Sequence, residues 1–329
     1  MNQHNPKDGP LLSKLADVSF QPVFIMGVQR SGTSILYKLL QETGFFTVTT
    51  AYDIIYYDEL LYNHQKKRDQ QLKNDLTEIL QSGKKQTRGI DELSVSADFP
   101  EEYGFLLSRK TKIHHLNPVT VSLFSLLCQK VTFLSNNNNP ILLKNPFDFA
   151  HFLFIKKQFP TAKFVFIHRK PLNTLSSQLK AMHTLFSNKS RYMALLSPWY
   201  KKTYNNPLSR FYYRLACSPS NPLRVNQLIS TLSTNANTFL QDIKHLQHNT
   251  DYVSIRYEDL CNHPQKTMEN ILEFLGYNSS MGIDFSSYIK PRHLSPRKEI
   301  LKKKKKINKE LKNYLAYNDY IINDISPMQ

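Results

Sequence analysis

The sequence predicts a three-layer α/β fold, a central parallel β-sheet flanked by helices, and three observations carry that expectation. Short apolar, β-branched runs alternate with stretches of helical spacing. Glycine, proline and asparagine punctuate the junctions between them. Polar residues of distinctive type then fall at or just past the strand ends, where ligands bind in sheets of this kind. With 329 residues, 40% hydrophobic and 12% aromatic, the chain can bury a large core.

The first strand is the run Pro22 to Gly27, ending in glycine. A helix follows from Thr33 to Glu42, with Ile35, Leu36, Leu39 and Leu40 on one face. Tyr62 to Lys85 is polar with sparse leucines, the pattern of an exposed helix and a loop. Asn136 to Asn139 and Pro140 mark a loop before a second strand, Ile141 to Leu143, which ends at Lys144. An apolar helix is expected from Phe147 to Phe159, stopped by Pro160. A third strand, Lys163 to His168, runs into Arg169 and a helix opened by Pro171. The fourth, Asp251 to Tyr257, feeds a helix ending near Leu275 and Gly276. Ile307, Leu311 and Leu315 have the spacing of the inward face of a C-terminal helix. Lys302 to Lys306 would be its solvated face, contact with an anionic membrane surface or with nucleic acid being the alternative.

No internal repeat or linker divides the chain. The expected organisation is an N-terminal extension, 1–20, and one domain, 21–329, with helical insertions at about 52–110 and 183–222. The net charge of +17, from 43 Lys and Arg against 26 Asp and Glu, favours anionic partners such as phosphates, sulfated substrates, nucleic acid or an acidic membrane. Cys128, Cys217 and Cys261 lie far apart without metal-like spacing, so neither a disulfide framework nor a zinc site is indicated. That usage fits a reducing, cytoplasmic compartment. The N-terminus lacks the apolar core of a signal peptide, and no segment reaches the roughly 18 apolar residues of a membrane span, so a soluble protein is expected.

The residues after the first strand read Gly27, four residues, Gly32, Thr33, Ser34. Such spacing lets backbone amides converge on an anion at a helix N-terminus. Thr33 stands where the ATP- and GTP-binding signature GxxxxGK[ST] requires lysine. The loop's cation is instead Arg30. A divergent kinase is one reading of such a loop, and a basic binding protein without catalysis is another.

"RSGTS", Arg30 to Ser34, resembles the 5'-phosphosulfate loop of sulfotransferases that use 3'-phosphoadenosine 5'-phosphosulfate (PAPS). "HRKPLNTLSSQL" is similar to the same family's 3'-phosphate motif, with Arg169, Pro171 and Ser177 in the matching places. An arginine fork and a hydroxyl at a helix start suit a phosphate. "IRYEDLCNHPQKTMENILEFLGY" resembles a downstream family segment that makes Tyr257 an adenine contact and Glu258, Asp259, Phe274, Leu275 and Gly276 structural. The likeness runs from Phe24 to about Tyr277 and is to the bacterial-type branch. It implies a P-loop-like sulfotransferase fold, with sulfuryl transfer from PAPS to a hydroxyl or less readily an amine. Arg30, Ser31, Gly32, Thr33, Ser34, Arg169, Ser177 and Tyr257 would hold PAPS or the spent bisphosphate. The resemblance implies no metal, and no nucleic-acid partner is expected.

The sequence departs from the family at the base. Lys144 is retained in "LLKNPFDF", but Pro146 occupies the place of the animal enzymes' histidine. "DFPEEYGFLL" partly matches a bacterial-branch segment that makes Glu102 the base, with Glu101 and Asp98 as alternatives; Arg30 and Lys144 would stabilise the developing charge. Glu101 and Glu102 read equally well as first-turn helix residues after Pro100. His114, His115, His151 and His168 lack a metal-like partner set. Trp199, in "PWYKKTY", is either an aromatic lid over the acceptor or a packing anchor. Arg297 and Lys298 lack the glycine that would make them a late phosphate loop.

Overall fold

The computed structural model describes residues 6–81, 94–278, 282–289 and 295–320. Five strands form one sheet: β1 (Pro22–Met26), β2 (Thr47–Val48), β3 (Ile141–Lys144), β4 (Lys163–His168) and β5 (Tyr252–Arg256). Their order is β2-β3-β1-β4-β5 and every pairing is parallel. β1 therefore lies at the centre, with Phe24 opposite Leu143 on one side and Phe164 on the other. Parallel sheets are covered on both faces, which is why all five residues of β1 are apolar and all five are buried. Alternate side chains divide them. Phe24 and Met26 join one core with Phe164, Phe166 and the helices Val121–Ser135 and Pro222–Asp242, while Val23 and Ile25 join a second with α1 (Thr33–Glu42) and the helix Pro264–Leu275.

The expected strands lie where the sequence placed them, and β2 is an addition. Its two residues carry no alternation long enough to read, and its place at the sheet edge comes from pairing with β3. The helix expected from Phe147 is instead a 3-10 turn, Pro146–Asp148, and a helix over Phe152–Gln158. Asp148 accounts for the interruption: its buried carboxylate accepts hydrogen bonds from the Leu116 amide, Tyr103 and Asn145. After β5 one expected helix is two, Tyr257–Asn262 and Pro264–Leu275. Pro264 cannot donate into the first, and it holds His263 out of helical geometry (φ −135°, ψ 59°). Gly276 closes the second helix at φ 90°.

The polar segment after Tyr62 falls into the helices Leu60–Gln65 and Asp69–Gln81, and its last expected residues lie outside the described ones. The C-terminal helix is three short ones, Lys298–Leu301, Lys304–Glu310 and Lys312–Tyr317, with Ile307, Leu311 and Leu315 buried as their spacing required. Before β1, Gly9–Leu15 forms a 3-10 helix. Buried Asp8 pairs with buried Lys130 of the Val121–Ser135 helix at 2.8 Å. Among the described residues no helix is long and apolar enough to cross a membrane.

Candidate active site

The loop between β1 and α1 turns on two positive-φ residues, Arg30 (φ 72°) and Gly32 (φ 109°). A Cβ at Gly32 would fall 2.3 Å from Tyr257 Cδ2, so only glycine fits there. Arg30 takes the same left-handed region without that freedom, at a cost on the order of 1–2 kcal/mol. Two contacts hold it: Arg30 Nε donates to Ser177 Oγ at 3.1 Å, and Arg169 Nη1 donates to the Arg30 carbonyl at 3.0 Å. Gln178 adds a third tie, donating to the Gln29 carbonyl at 2.8 Å. The two stretches that the sequence singled out 139 residues apart are thus one structure. Within it, Ser31 Oγ and Arg169 Nε are buried and have no hydrogen-bond partner among the described residues. Orphaned polar groups of this kind are rare in folded proteins, and both fit an anion.

Tyr257 opens the helix after β5, and its ring lies 4.4 Å from the Arg169 guanidinium. Packed also against Gly32, it fixes the loop and the arginine relative to one another. Glu258 has the structural place expected of it, accepting from the Lys170 amide at 3.0 Å and from Tyr320 at 2.9 Å. The Arg297 amide donates to Ser176 at 3.0 Å, which brings the late basic segment beside the helix Pro171–Ser187, with the Arg297 side chain 3.6 Å from Glu299.

Lys144, at the end of β3, is fully buried and donates to Ser34 Oγ at 2.9 Å. Its ammonium also meets Glu102 Oε1 at 2.9 Å. Burying a lone ammonium would cost several kcal/mol, so the pair with Glu102 is what permits the arrangement. The three acidic candidates separate here. Glu102 lines the cleft. Glu101 is buried and turned to its own neighbours, accepting from the Glu102 amide at 2.8 Å and from Tyr192. Asp98 has 63% of its side chain exposed and pairs with Lys73. The helix after Pro100 starts only at Gly104 and has no acidic residue in its first turn, which removes the helix-dipole reading of both glutamates.

From the loop a cleft of about 730 Å³ runs away from the sheet. Arg30, Thr33, Ser34 and Glu102 line its polar end; Phe105, Phe147, Met182, Leu185 and Trp199 line its apolar body. Trp199 is in the helix Pro198–Asn205, 54% exposed. His114 also lines the cleft, its pKa lowered by burial and then by His115. The rings of His115 and His151 stack at 4.2 Å. His168 lies outside the cleft, bonded to Tyr314 at 2.8 Å and driven down to about 3 by burial. Among the described residues no group of three or more His, Cys, Asp or Glu is placed to hold a metal ion, and the three cysteines are free.

Sequence reasoning missed the support beneath Lys144. Asn145 donates to Asp148 Oδ2 at 2.6 Å and to the His114 carbonyl at 2.7 Å, and Tyr103 donates to the same carboxylate at 2.6 Å. Gly104 belongs to it, because a Cβ there would lie 2.5 Å from Asn145 Oδ1. The signal was present: Tyr103 and Gly104 are the positions where "DFPEEYGFLL" departs from its family segment. Burial pushes the Asp148 carboxyl up to about 6.

A five-stranded parallel sheet with a glycine-containing loop after its central strand and a cleft beside that loop defines an α/β protein of the P-loop-like class. Within that class the chain belongs to the sulfotransferase family: the model of that family matches residues 22–212, more than half of the chain. The fold is shared with two solved bacterial structures. Sulfotransferase STF9 from Mycobacterium avium is 13% identical, with a TM-score of 0.65 over 95% of this chain and 80% of that one. Sulfotransferase STF1 from Mycobacterium tuberculosis is 14% identical, with a TM-score of 0.56 over 92% of this chain and 80% of that one. No curated protein sequence matches the chain.

Proposed function

We propose that the protein transfers a sulfuryl group from PAPS to a hydroxyl, or less readily an amine, of an acceptor held in the cleft. The observation that carries this reading is the position of Lys144, which touches Ser34 of the anion loop on one side and Glu102 of the cleft wall on the other. In this assignment the loop amides with Arg30, Ser31, Gly32, Thr33 and Ser34 bind the 5'-phosphosulfate end. Arg169 and Ser177 bind the 3'-phosphate, and Tyr257 contacts the adenine.

Glu102 takes the acceptor proton as its oxygen attacks sulfur, and the bond from sulfur to the phosphate oxygen breaks. Lys144 and Arg30 offset the charge that grows on that departing oxygen. Neither step calls for a metal, since the cations are side chains. The apolar body of the cleft supports an acceptor with an apolar or aromatic frame and one nucleophilic group at its polar end. Residues 21–329 act as one domain, with both insertions contributing cleft wall, and the free cysteines support a cytoplasmic setting.

The first test is thermal unfolding with adenosine 3',5'-bisphosphate and, separately, with magnesium ATP. At a hundredfold excess over Kd the bisphosphate should stabilise the protein by about 2.7 kcal/mol, and magnesium ATP should not. A response to magnesium ATP alone would mean a kinase loop.

A further inference from the structure

Past Trp199 and its helix the chain continues into the helix Pro207–Ala216. Its apolar residues recur at Leu208, Phe211, Tyr212 and Leu215, the spacing by which a surface helix normally meets a core. Here the stripe faces outward: the four are 82, 64, 65 and 56% exposed, and none of the helix's ten residues is buried. Leu223, one residue into the next helix, is exposed as well. The helix is held from its other side by Tyr213, stacked on Phe186 at 5.0 Å and edge-on to Trp199 at 5.5 Å. Isolated exposed leucines are ordinary, but an ordered stripe of large apolar residues marks a surface made to be covered.

Charge says what covers it. Arg210 and Arg214 are exposed on the same helix, and Lys201 and Lys202 on the one before. The sequence contains no Asp or Glu between Asp148 and Asp242, so nothing in this stretch of chain offsets them. We propose that Pro207–Ala216 docks the protein on an anionic lipid bilayer. Leu208, Phe211, Tyr212 and Leu215 sink to the boundary between headgroups and acyl chains, as an interfacial amphipathic helix does. Arg210, Arg214, Lys201 and Lys202 meet the acidic headgroups. A second copy of the chain would oppose one basic helix with another, whereas the bilayer brings the complementary charge. Because half-exposed Trp199 belongs both to the cleft wall and to the packing beneath this helix, docking sets the mouth of the cleft at the lipid surface.

The test is sedimentation of the full chain with vesicles of phosphatidylcholine alone and of phosphatidylcholine mixed with phosphatidylglycerol. No nucleotide is present, so its outcome is independent of the donor assignment. The protein should sediment with the anionic vesicles and not the neutral ones, be released by salt, and shift the emission of Trp199, its only tryptophan, to shorter wavelength. Leu208→Glu with Phe211→Glu should abolish binding. Arg210→Ala with Arg214→Ala should weaken it about thirty-fold, from about 1 kcal/mol per basic residue. All four side chains are exposed, so thermal unfolding should not change. Replacing Lys302 to Lys306 by serine should leave binding in place. Failure of the wild type to bind anionic vesicles, or full binding by the glutamate pair, overturns the proposal. So does a dimer in sedimentation velocity that the glutamate pair dissociates, which would give this face to a second copy.

Discussion

At the sheet end of the cleft Lys144 is joined to Ser34 and to Glu102 by contacts of 2.9 Å, and Arg30 is held by Ser177 at 3.1 Å. Elsewhere Leu185, Met193 and Trp199, from three consecutive helices, line the cleft with large apolar side chains. One end is fixed before any ligand arrives; the other is a wall whose shape depends on how short helices pack. A preorganised charged end suits a reaction step common to a whole family, and an apolar wall of helices suits an acceptor that differs between members. The following expectations, largest first, would break or sharpen that contrast.

Glu102→Gln removes the proposed proton acceptor while keeping its shape. Turnover should fall about 10²- to 10⁴-fold with stabilisation by the bisphosphate retained. An unchanged rate would move the base to another group and leave Glu102 as the partner of Lys144 alone. Arg169→Ala should instead act on the donor. Its guanidinium ties Arg30 and stacks on Tyr257, and losing a buried charged contact costs roughly 2–5 kcal/mol, so bisphosphate affinity should drop about 30- to 4,000-fold. Arg169→Lys should restore little, because an ammonium has no planar fork. Wild-type affinity in Arg169→Ala would sink the donor assignment.

Asp148 underlies the charged end, since it positions Asn145 next to Lys144 and receives Tyr103 from the segment that carries Glu102. Its carboxyl is held at about 6 against an ordinary 3.8, burial being the largest cause. The folded state therefore prefers the protonated form. The stability this contributes is fully present below the unfolded value and is lost as pH rises through about 6. About two units correspond to about 3 kcal/mol. Asp148→Asn cannot lose it, so the stability of wild type relative to that variant should decline by about that amount between pH 4 and pH 7, as read from denaturant midpoints. A difference that stays flat would mean that the three donors around Asp148 keep it charged throughout.

The contrast also explains what the sequence disclosed. Parallel strands deliver whatever follows them to one edge, so Arg30, Lys144, Arg169 and Tyr257 could be grouped from order alone, and four of five strands were legible from apolar runs. Glu102 precedes a helix rather than following a strand, and its setting apart from Glu101 and Asp98 depends on Tyr192 and Lys73, partners distant in sequence. The Tyr103–Asp148–Asn145 support showed in the sequence only as the departure at Tyr103 and Gly104, because Tyr103 and Asp148 are distant in sequence. The outward stripe of Pro207–Ala216 was invisible because helical periodicity gives the apolar face of a helix and not the direction in which that face points.

Met182 gives the smallest effect and the sharpest separation of the two ends. It lies in the helix Pro171–Ser187, which carries Ser177 against Arg30 of the loop after β1 and Met182 in the apolar wall. Truncation to alanine removes apolar surface that an acceptor would cover, worth about 1–2 kcal/mol at about 25 cal/mol per Å². We predict a roughly tenfold rise in acceptor KM, with the bisphosphate's stabilising effect unchanged because the Arg30–Ser177 contact lies more than a helical turn away. If acceptor KM were unchanged for every acceptor that turns over, the apolar wall would not be where the acceptor sits. If donor affinity fell instead, the helix would be transmitting the change along its length, and the two ends of the cleft would be one mechanical unit.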